Sequence, residues 1–169
     1  PALQWQDIVL LFRASTTFIY YERELEKAGI PFVTVAGRGF YDRPEIRDLL
    51  NLLTALADPW DDLSLIGLLR SPAVAMSDIG ITKLRWLNGA RKPAALFLAL
   101  QGDLSGLSSL DQAAAVRARA LFATFQPVMG RKPVAEILQQ LVVFSHYQAI
   151  LAGSTERAWR NVEKLLADS

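Results

Sequence analysis

The sequence predicts an α/β unit followed by a mainly α one, and three observations carry that prediction. Asp7-Ile8-Val9-Leu10-Leu11-Phe12-Arg13 is a continuous apolar run between charged ends, the pattern of a strand buried on both faces of a parallel sheet. A helix-like stretch follows and leads into Phe32-Val33-Thr34-Val35-Ala36, so residues 7 to 36 have the size of a strand-helix-strand crossover. Beyond Ser71-Pro72 the strand-like runs give way to helical patterns, which places a domain boundary near residue 70.

Each element follows from local chemistry. Ser15 or Thr16 can cap the first helix, whose apolar face is Phe18, Ile19, Leu25 and Ala28, and Gly29 with Ile30-Pro31 stops it. The stretch from Gly37 through Arg38, Gly39, Phe40, Tyr41, Asp42, Arg43 and Pro44 to Asp48 reads as a glycine-flexed strand exit entering a helix. Gly37 and Gly39 permit positive φ and close backbone approach, Pro44 suits a first helical turn, and Glu45 complements the helix N-terminus. Ile46, Leu49, Leu50, Leu52, Leu53 and Leu56 carry that helix into a core until Asp58-Pro59 ends it after about Ala57. Asp61 or Asp62 can cap another helix through Leu69.

The second part predicts helices near 77–88, 94–101, 109–126, 133–144 and 154–167, punctuated by Asn88-Gly89, Lys92-Pro93, Gln101-Gly102, Gly130 and Gly153. Ser108 is placed to cap the third of these. Ala113, Val116, Ala120, Leu121 and Phe125 share helical spacing, as do Val134, Ile137, Leu138, Leu141 and Val142, so these two helices are expected to pack together.

Composition narrows the function classes. At 169 residues, 51% hydrophobic and 21% charged, the chain can bury one good core or two small ones. Its 18 Lys+Arg and 17 Asp+Glu leave a net charge of +1, so any nucleic-acid contact must be a local patch. The absence of cysteine excludes disulfides and thiolate-metal sites and fits a reducing cytoplasm, the expected location. His146 is the sole histidine, so a His-rich metal centre is excluded too. No apolar stretch reaches the roughly 20 residues of a membrane span. The opening Pro-Ala-Leu-Gln-Trp reads as the start of an excised or processed segment.

No catalytic constellation is legible. A Gly-x-x-x-x-Gly-Lys-Ser/Thr phosphate cradle is missing, and Gly37-Arg38-Gly39 is too short to replace it. No Gly-x-Ser-x-Gly occurs, and His146 sits in the apolar Val142 to Tyr147 stretch, where it reads as a packed or surface structural residue. Asp61-Asp62 reads as a cap and first-turn charge, and Asp42, Glu45 and Asp48 are interleaved with Arg43 and Arg47 rather than forming an oxygen cage. No metal or catalytic residue is therefore assigned.

The arginines stand out. Arg43 and Arg47 are like charges four apart, a spacing that calls for an anionic partner. With Arg13 at a strand end and Arg38 in the glycine turn they could converge on phosphate; the other reading is ion pairing worth about 0–1 kcal/mol each. Trp60, Trp86 and Trp159 could stack bases, although aromatics at helical spacing usually pack in a core.

These blocks, in this order, carry a resemblance. Asp7 to Arg13, Glu24 to Phe32, Gly37 to Asp48, Ala57 to Leu63 and Leu69-Arg70-Ser71-Pro72 resemble consecutive blocks of the UvrD/Rep superfamily-one DNA helicases. Arg70-Ser71-Pro72 and Tyr41 after Phe40 look more like the AddA and RecB recombination-nuclease branch. The resemblance implies that residues 1–70 are part of the second RecA-like (2A) domain, and that 71–169 are an incomplete helical 2B-like accessory domain. The stretch Thr155 to Leu165, with Arg157 and Asn161, is similar to a helix late in 2B. Where relatives carry a Gly-Ile-Gly turn against duplex backbone, this chain has Met76 to Lys83 and keeps only Ile79-Gly80, though Lys83 could meet a phosphate.

By the same resemblance the parent would be an ATP-dependent DNA helicase, with or without an exonuclease. ATP and Mg would bind elsewhere in it, and no cofactor is expected in this fragment. Arg13, Arg38, Arg43, Arg47 and Lys83 become the candidates for nucleic-acid or interdomain contact, with Gly37, Gly39, Phe40, Tyr41 and Pro44 shaping the turn. The expected partners are DNA, through the parent, and a nuclease or helicase subunit. The competing reading is a protein-interaction module docking a subunit of a DNA repair complex; an unrelated small enzyme would need a pocket with shifted titrating groups.

Overall fold

The computed structural model describes residues 3–14, 17–32, 40–86, 94–153 and 156–169. Helices α1 (Phe18–Lys27), α2 (Pro44–Ala57), α3 (Asp62–Arg70), α4 (Asp78–Arg85), α5 (Leu96–Gln101), α6 (Ser109–Phe125), α7 (Val134–Phe144), α8 (Tyr147–Leu151) and α9 (Glu156–Asp168) follow one another in chain order. There is no β-strand among the described residues, so the expected α/β unit is corrected to a helical one. Trp5–Asp7 is a short 3-10 turn, and the chain after it forms no β-ladder with the described residues, although Phe12 packs on Phe18 and Tyr21. Ile8, Val9, Leu10 and Leu11 stay exposed, Leu11 at 92%. A strand's hydrogen bonds are made to another segment, and none of the described residues pairs with 8–12. The second expected strand falls on 33–36, outside the described residues.

The helices themselves were well marked. The Gly29 N–H bonds to Glu26 O and the Ile30 N–H to Leu25 O, with Gly29 at φ +66°, the left-handed geometry that ends a helix. Pro44 opens α2 in its first turn, and its Ile46, Leu49, Leu52, Ala55 and Leu56 are buried. Asp61, rather than Asp62, caps α3: its carboxylate accepts from the Leu63 N–H at 3.0 Å, the Ser64 N–H at 3.3 Å and the Ser64 hydroxyl at 2.6 Å. Ser108 caps α6 by accepting the Asp111 N–H.

Two readings need correction. The buried face of α6 is Asp111, Ala114, Ala115, Ala118, Leu121, Phe122 and Phe125, so Ala113, Val116 and Ala120 face solvent. An alanine-rich helix carries little facial bias, and here the bulky Phe122 and Phe125 set the rotation. The short α8 was not anticipated; it starts after His146, whose φ of 53° reverses the chain behind α7.

Buried side chains from both sides of residue 70 form one core, running from Phe40 and Ile46 through Leu68, Leu84 and Phe122 to Tyr147, Val162 and Leu165. Close approach tightens it at Gly67, where an added Cβ would lie 2.4 Å from Asn51 Nδ2. Arg119 on α6 donates to Leu100 O at 2.7 Å and to Gly102 O, satisfying carbonyls at the end of α5. No described helix is long and apolar enough to cross a membrane.

Candidate nucleic-acid and interdomain site

Local sequence builds the turn before α2. Phe40 is buried, and the Lys164 ammonium lies 5.7 Å from its ring centroid. Tyr41 packs edge-on to Phe40 at 5.3 Å while remaining largely exposed. Gly37, Arg38 and Gly39 lie outside the described residues.

Of the predicted cations, Arg43 is held internally. Its guanidinium pairs with Glu22 on α1, with both side chains mostly buried. The anion that the Arg43/Arg47 spacing called for is therefore, for Arg43, a carboxylate of this chain. Arg47 is exposed, and its charge acts on the neighbouring Asp48. Arg13 is exposed on the unpaired N-terminal segment, and Lys83 is exposed on α4. These three lie on separate elements and share no partner among the described residues.

A second group of residues ties this end of the chain to its last helices. Arg157 on α9 reaches Glu22 Oε2 at 3.3 Å, pairs with Glu26, and lies 4.1 Å from the centre of the Phe32 ring. One turn on, Asn161 Nδ2 donates to Glu45 Oε1 at 2.6 Å. The fully buried Tyr147 donates from its hydroxyl toward Glu45 O and Asp48 Oδ2, each at 3.3 Å. Burial raises the Asp48 pKa, outweighing the hydrogen bond from Tyr147 that lowers it. Burial and the nearby Asp48 raise the Tyr147 hydroxyl as well. The sequence signal for this group was the Arg157, Asn161, Leu165 spacing, one residue per helical turn along a single face.

The turn into α4 is occupied by structure. Asp111 is buried and accepts from the Ser77 N–H at 2.9 Å, the Ser77 hydroxyl at 3.0 Å and the Ser108 hydroxyl at 2.7 Å. Burial pushes its pKa up, but the Ser108 and Ser77 hydrogen bonds prevail and hold it below the usual carboxylate value, with help from the Lys83 charge. Ser77 Oγ in turn accepts the Gly80 N–H at 2.9 Å. Two of the backbone donors at this turn, the Ser77 and Gly80 N–H groups, are thus engaged, and Gly80 serves close packing, since a Cβ would sit 2.5 Å from Asp111 Cγ.

The other sequence candidates resolve simply. Asp62 pairs with Arg85 at 2.9 Å, joining α3 to α4. His146 is a surface residue in a left-handed turn. Trp159 packs against the core and donates to Glu163 at 2.8 Å. Trp60 and Trp86 are exposed rather than packed in the core, Trp60 at 60%, and Trp60 meets the Phe97 ring edge-on at 5.8 Å. Among the described residues no group of three or more His, Cys, Asp or Glu could hold a metal ion.

The order of the sequence blocks, from Asp7 to Pro72, is that of a UvrD/Rep-like helicase segment, and the comparison with known families agrees. Residues 2–97, more than half of the chain, match the model for the UvrD-like helicase C-terminal domain, and the chain belongs to that family. Among curated proteins it is similar to the A-type subunit of the ATP-dependent helicase/nuclease from Clostridium botulinum strain Langeland, 34% identical over 87 residues, 51% of this chain and 7% of that protein. The protein of the same name from Ruminiclostridium cellulolyticum is 34% identical over 100 residues, 59% of this chain and 8% of that protein. Its namesake from Lysinibacillus sphaericus is 25% identical over 147 residues, 86% of this chain and 12% of that protein. The chain thus spans about a tenth or less of the length of these relatives.

Proposed function

We propose that the chain is an accessory segment of an ATP-dependent DNA helicase or helicase-nuclease, helping to position DNA and coupling domain movements without hydrolysing ATP itself. In this reading residues 1–70 belong to the 2A domain and 71–169 to the 2B-like accessory domain, while ATP and Mg bind elsewhere in the parent. The lack of a phosphate cradle in the sequence supports that last point. The observation that carries the coupling role is the cross-tie of Arg157, Asn161 and Tyr147 to α1 and α2, which links chain positions far apart in sequence.

DNA contact falls to the exposed cations Arg13, Arg47 and Lys83. The test is the salt dependence of DNA binding by the complete protein. Arg47→Ala is expected to reduce the slope of log affinity against log salt by about one unit, the value for one lost phosphate contact. Arg43→Ala is expected to leave the slope unchanged. An unchanged slope for Arg13→Ala, Arg47→Ala and Lys83→Ala alike would refute the DNA-positioning part.

A second reading, docking of a partner protein, is favoured by one specific feature. The shallow grooves beside α7, lined by Phe125, Gln139, Val143, Phe144, Ala149 and Trp159 among others, carry no Lys, Arg, Asp or Glu. Such a surface suits a largely apolar protein contact and offers no Lys or Arg to a phosphate.

A further inference from the structure

We infer that Arg157 is a positioning residue: from the first turns of α9 it fixes the turn that leads into α2, and so sets where the candidate DNA-facing Arg47 points. In its DNA consequence this rests on the function proposed above; in its structural consequence it stands alone.

Glu22 is the link between the two ends of the chain. One carboxylate oxygen, Oε1, pairs with Arg43, the residue immediately before α2, and the other, Oε2, lies 3.3 Å from Arg157 Nη2. A single carboxylate thereby bridges two guanidiniums from elements that are far apart in sequence. Arg157 adds a second anchor on the same helix α1 through Glu26, and a third through the Phe32 ring at 4.1 Å. Its side chain is only 14% exposed, so it cannot meet a nucleic-acid phosphate without leaving these partners. Its Nε and Nη2 are buried without a hydrogen-bond acceptor. The hold on Glu22 is therefore by charge, reinforced by packing on the Phe32 face.

Removing the Arg157 charge takes from Glu22 the partner that reaches it from α9, and removes the Glu26 pairing with it, so α9 is loosened from α1. Arg43, Phe40 and Tyr41 belong to one turn, and the Arg43 carbonyl accepts the Ile46 and Arg47 amides that begin α2. Loosening thus travels a short covalent path from Arg43 to Arg47. Asn161 and Tyr147 still hold Glu45 and Asp48, so the loosening at Arg47 is partial and α2 beyond Asp48 stays in place.

The experiment is amide hydrogen exchange on the complete protein with Arg157→Gln, Arg157→Lys and Glu26→Gln, paired with DNA binding across a salt series. Arg157→Gln is expected to speed exchange in α1 and at residues 40–47 by about tenfold, leaving α6 and α7 unchanged. Arg157→Lys is expected to restore part of the protection, and Glu26→Gln to give a milder form of the same pattern. DNA affinity is expected to fall, with the salt slope lowered by no more than the roughly one unit that Arg47→Ala removes, and Arg157→Gln/Arg47→Ala is expected to match Arg47→Ala in slope. Unchanged exchange at 40–47, or acceleration spread equally over α6 and α7, would overturn the inference. So would a further unit of slope lost in Arg157→Gln/Arg47→Ala relative to Arg47→Ala, which would make Arg157 itself a phosphate contact. If exchange rises at 40–47 while neither Arg157→Gln nor Arg47→Ala changes DNA binding, the clamp stands and the DNA-positioning reading falls.

Discussion

Gly80→Ala inverts the usual rule for helices and tests the packing at the start of α4. Replacing a helical glycine by alanine normally stabilises, by up to about 1 kcal/mol. At Gly80 the new Cβ would lie 2.5 Å from Asp111 Cγ, 2.6 Å from Oδ1 and 2.8 Å from Oδ2, roughly 1 Å inside an ordinary van der Waals contact. The carboxylate cannot swing aside cheaply, because it is buried and accepts from Ser77 and Ser108. Relief requires either a shift of α4 from α6, an overpacking cost of about 1–3 kcal/mol, or loss of one hydrogen bond to a charged acceptor, about 1.5–3 kcal/mol. After the propensity gain is subtracted, the net cost is about 1 kcal/mol and at most about 2 kcal/mol. For a chain of this size that lowers Tm by roughly 2–8 °C. Thermal and urea unfolding of the purified chain read it directly, with Gly80→Ala/Asp111→Ala as the companion variant. Because the companion lacks the obstructing carboxylate, the cost of the alanine should shrink in its background. A Gly80→Ala chain at or above the stability of the parent sequence would refute the reasoning.

Two further outcomes follow from the same geometry. Gly67→Ala should cost about 1–3 kcal/mol in urea unfolding, since its Cβ would press on Asn51 Nδ2 and Cγ at 2.4 and 2.7 Å, and Gly67→Ala/Asn51→Ala should recover much of that. At Asp48 the folded pKa is raised above 3.8, chiefly by burial, so the ionised carboxylate weakens the fold at neutral pH. That penalty is relieved as pH falls through the raised folded value toward 3.8. Asp48→Asn should therefore be more stable than the parent sequence at pH 7 and lose the advantage on acidification, as followed by urea midpoints across pH; a variant less stable at pH 7 would contradict this.

How much of this was legible in the sequence depends on whether an element's partners are local. The helix ends were readable because caps are satisfied within a few residues: Pro44 before α2, Gly29 after α1, Ser108 before α6. The apolar run at 8–12 was read as a strand, yet strand formation depends on a neighbour that local pattern does not reveal. The α6 face was misjudged because alanines fit either side of a helix, leaving a few bulky residues to decide. Arg43 was singled out correctly as needing an anion, but its partner Glu22 lies 21 residues away on another helix, a relation that helical periodicity cannot express.

The fate of the cations bears on what kind of contact this segment can make. Arg43 and Arg157 share Glu22, Arg70 pairs with Asp78, Arg85 with Asp62, Lys132 with Glu136 and Lys164 with Asp168. Arg117 and Arg119 donate to backbone carbonyls at Val74 and Leu100. Several of these cations, Arg43, Arg85, Arg117, Arg119 and Arg157, thus hold one part of the fold to another. A net charge of +1 already argued against charge-driven capture of nucleic acid, and these structural ties engage part of the positive charge that remains. Each of Arg13, Arg47 and Lys83 that meets a phosphate adds about one unit to the salt slope of the complete protein. Opening of the Arg43–Glu22–Arg157 tie on binding would add to that. The Arg157→Gln exchange pattern at residues 40–47, measured with and without DNA, would detect that opening.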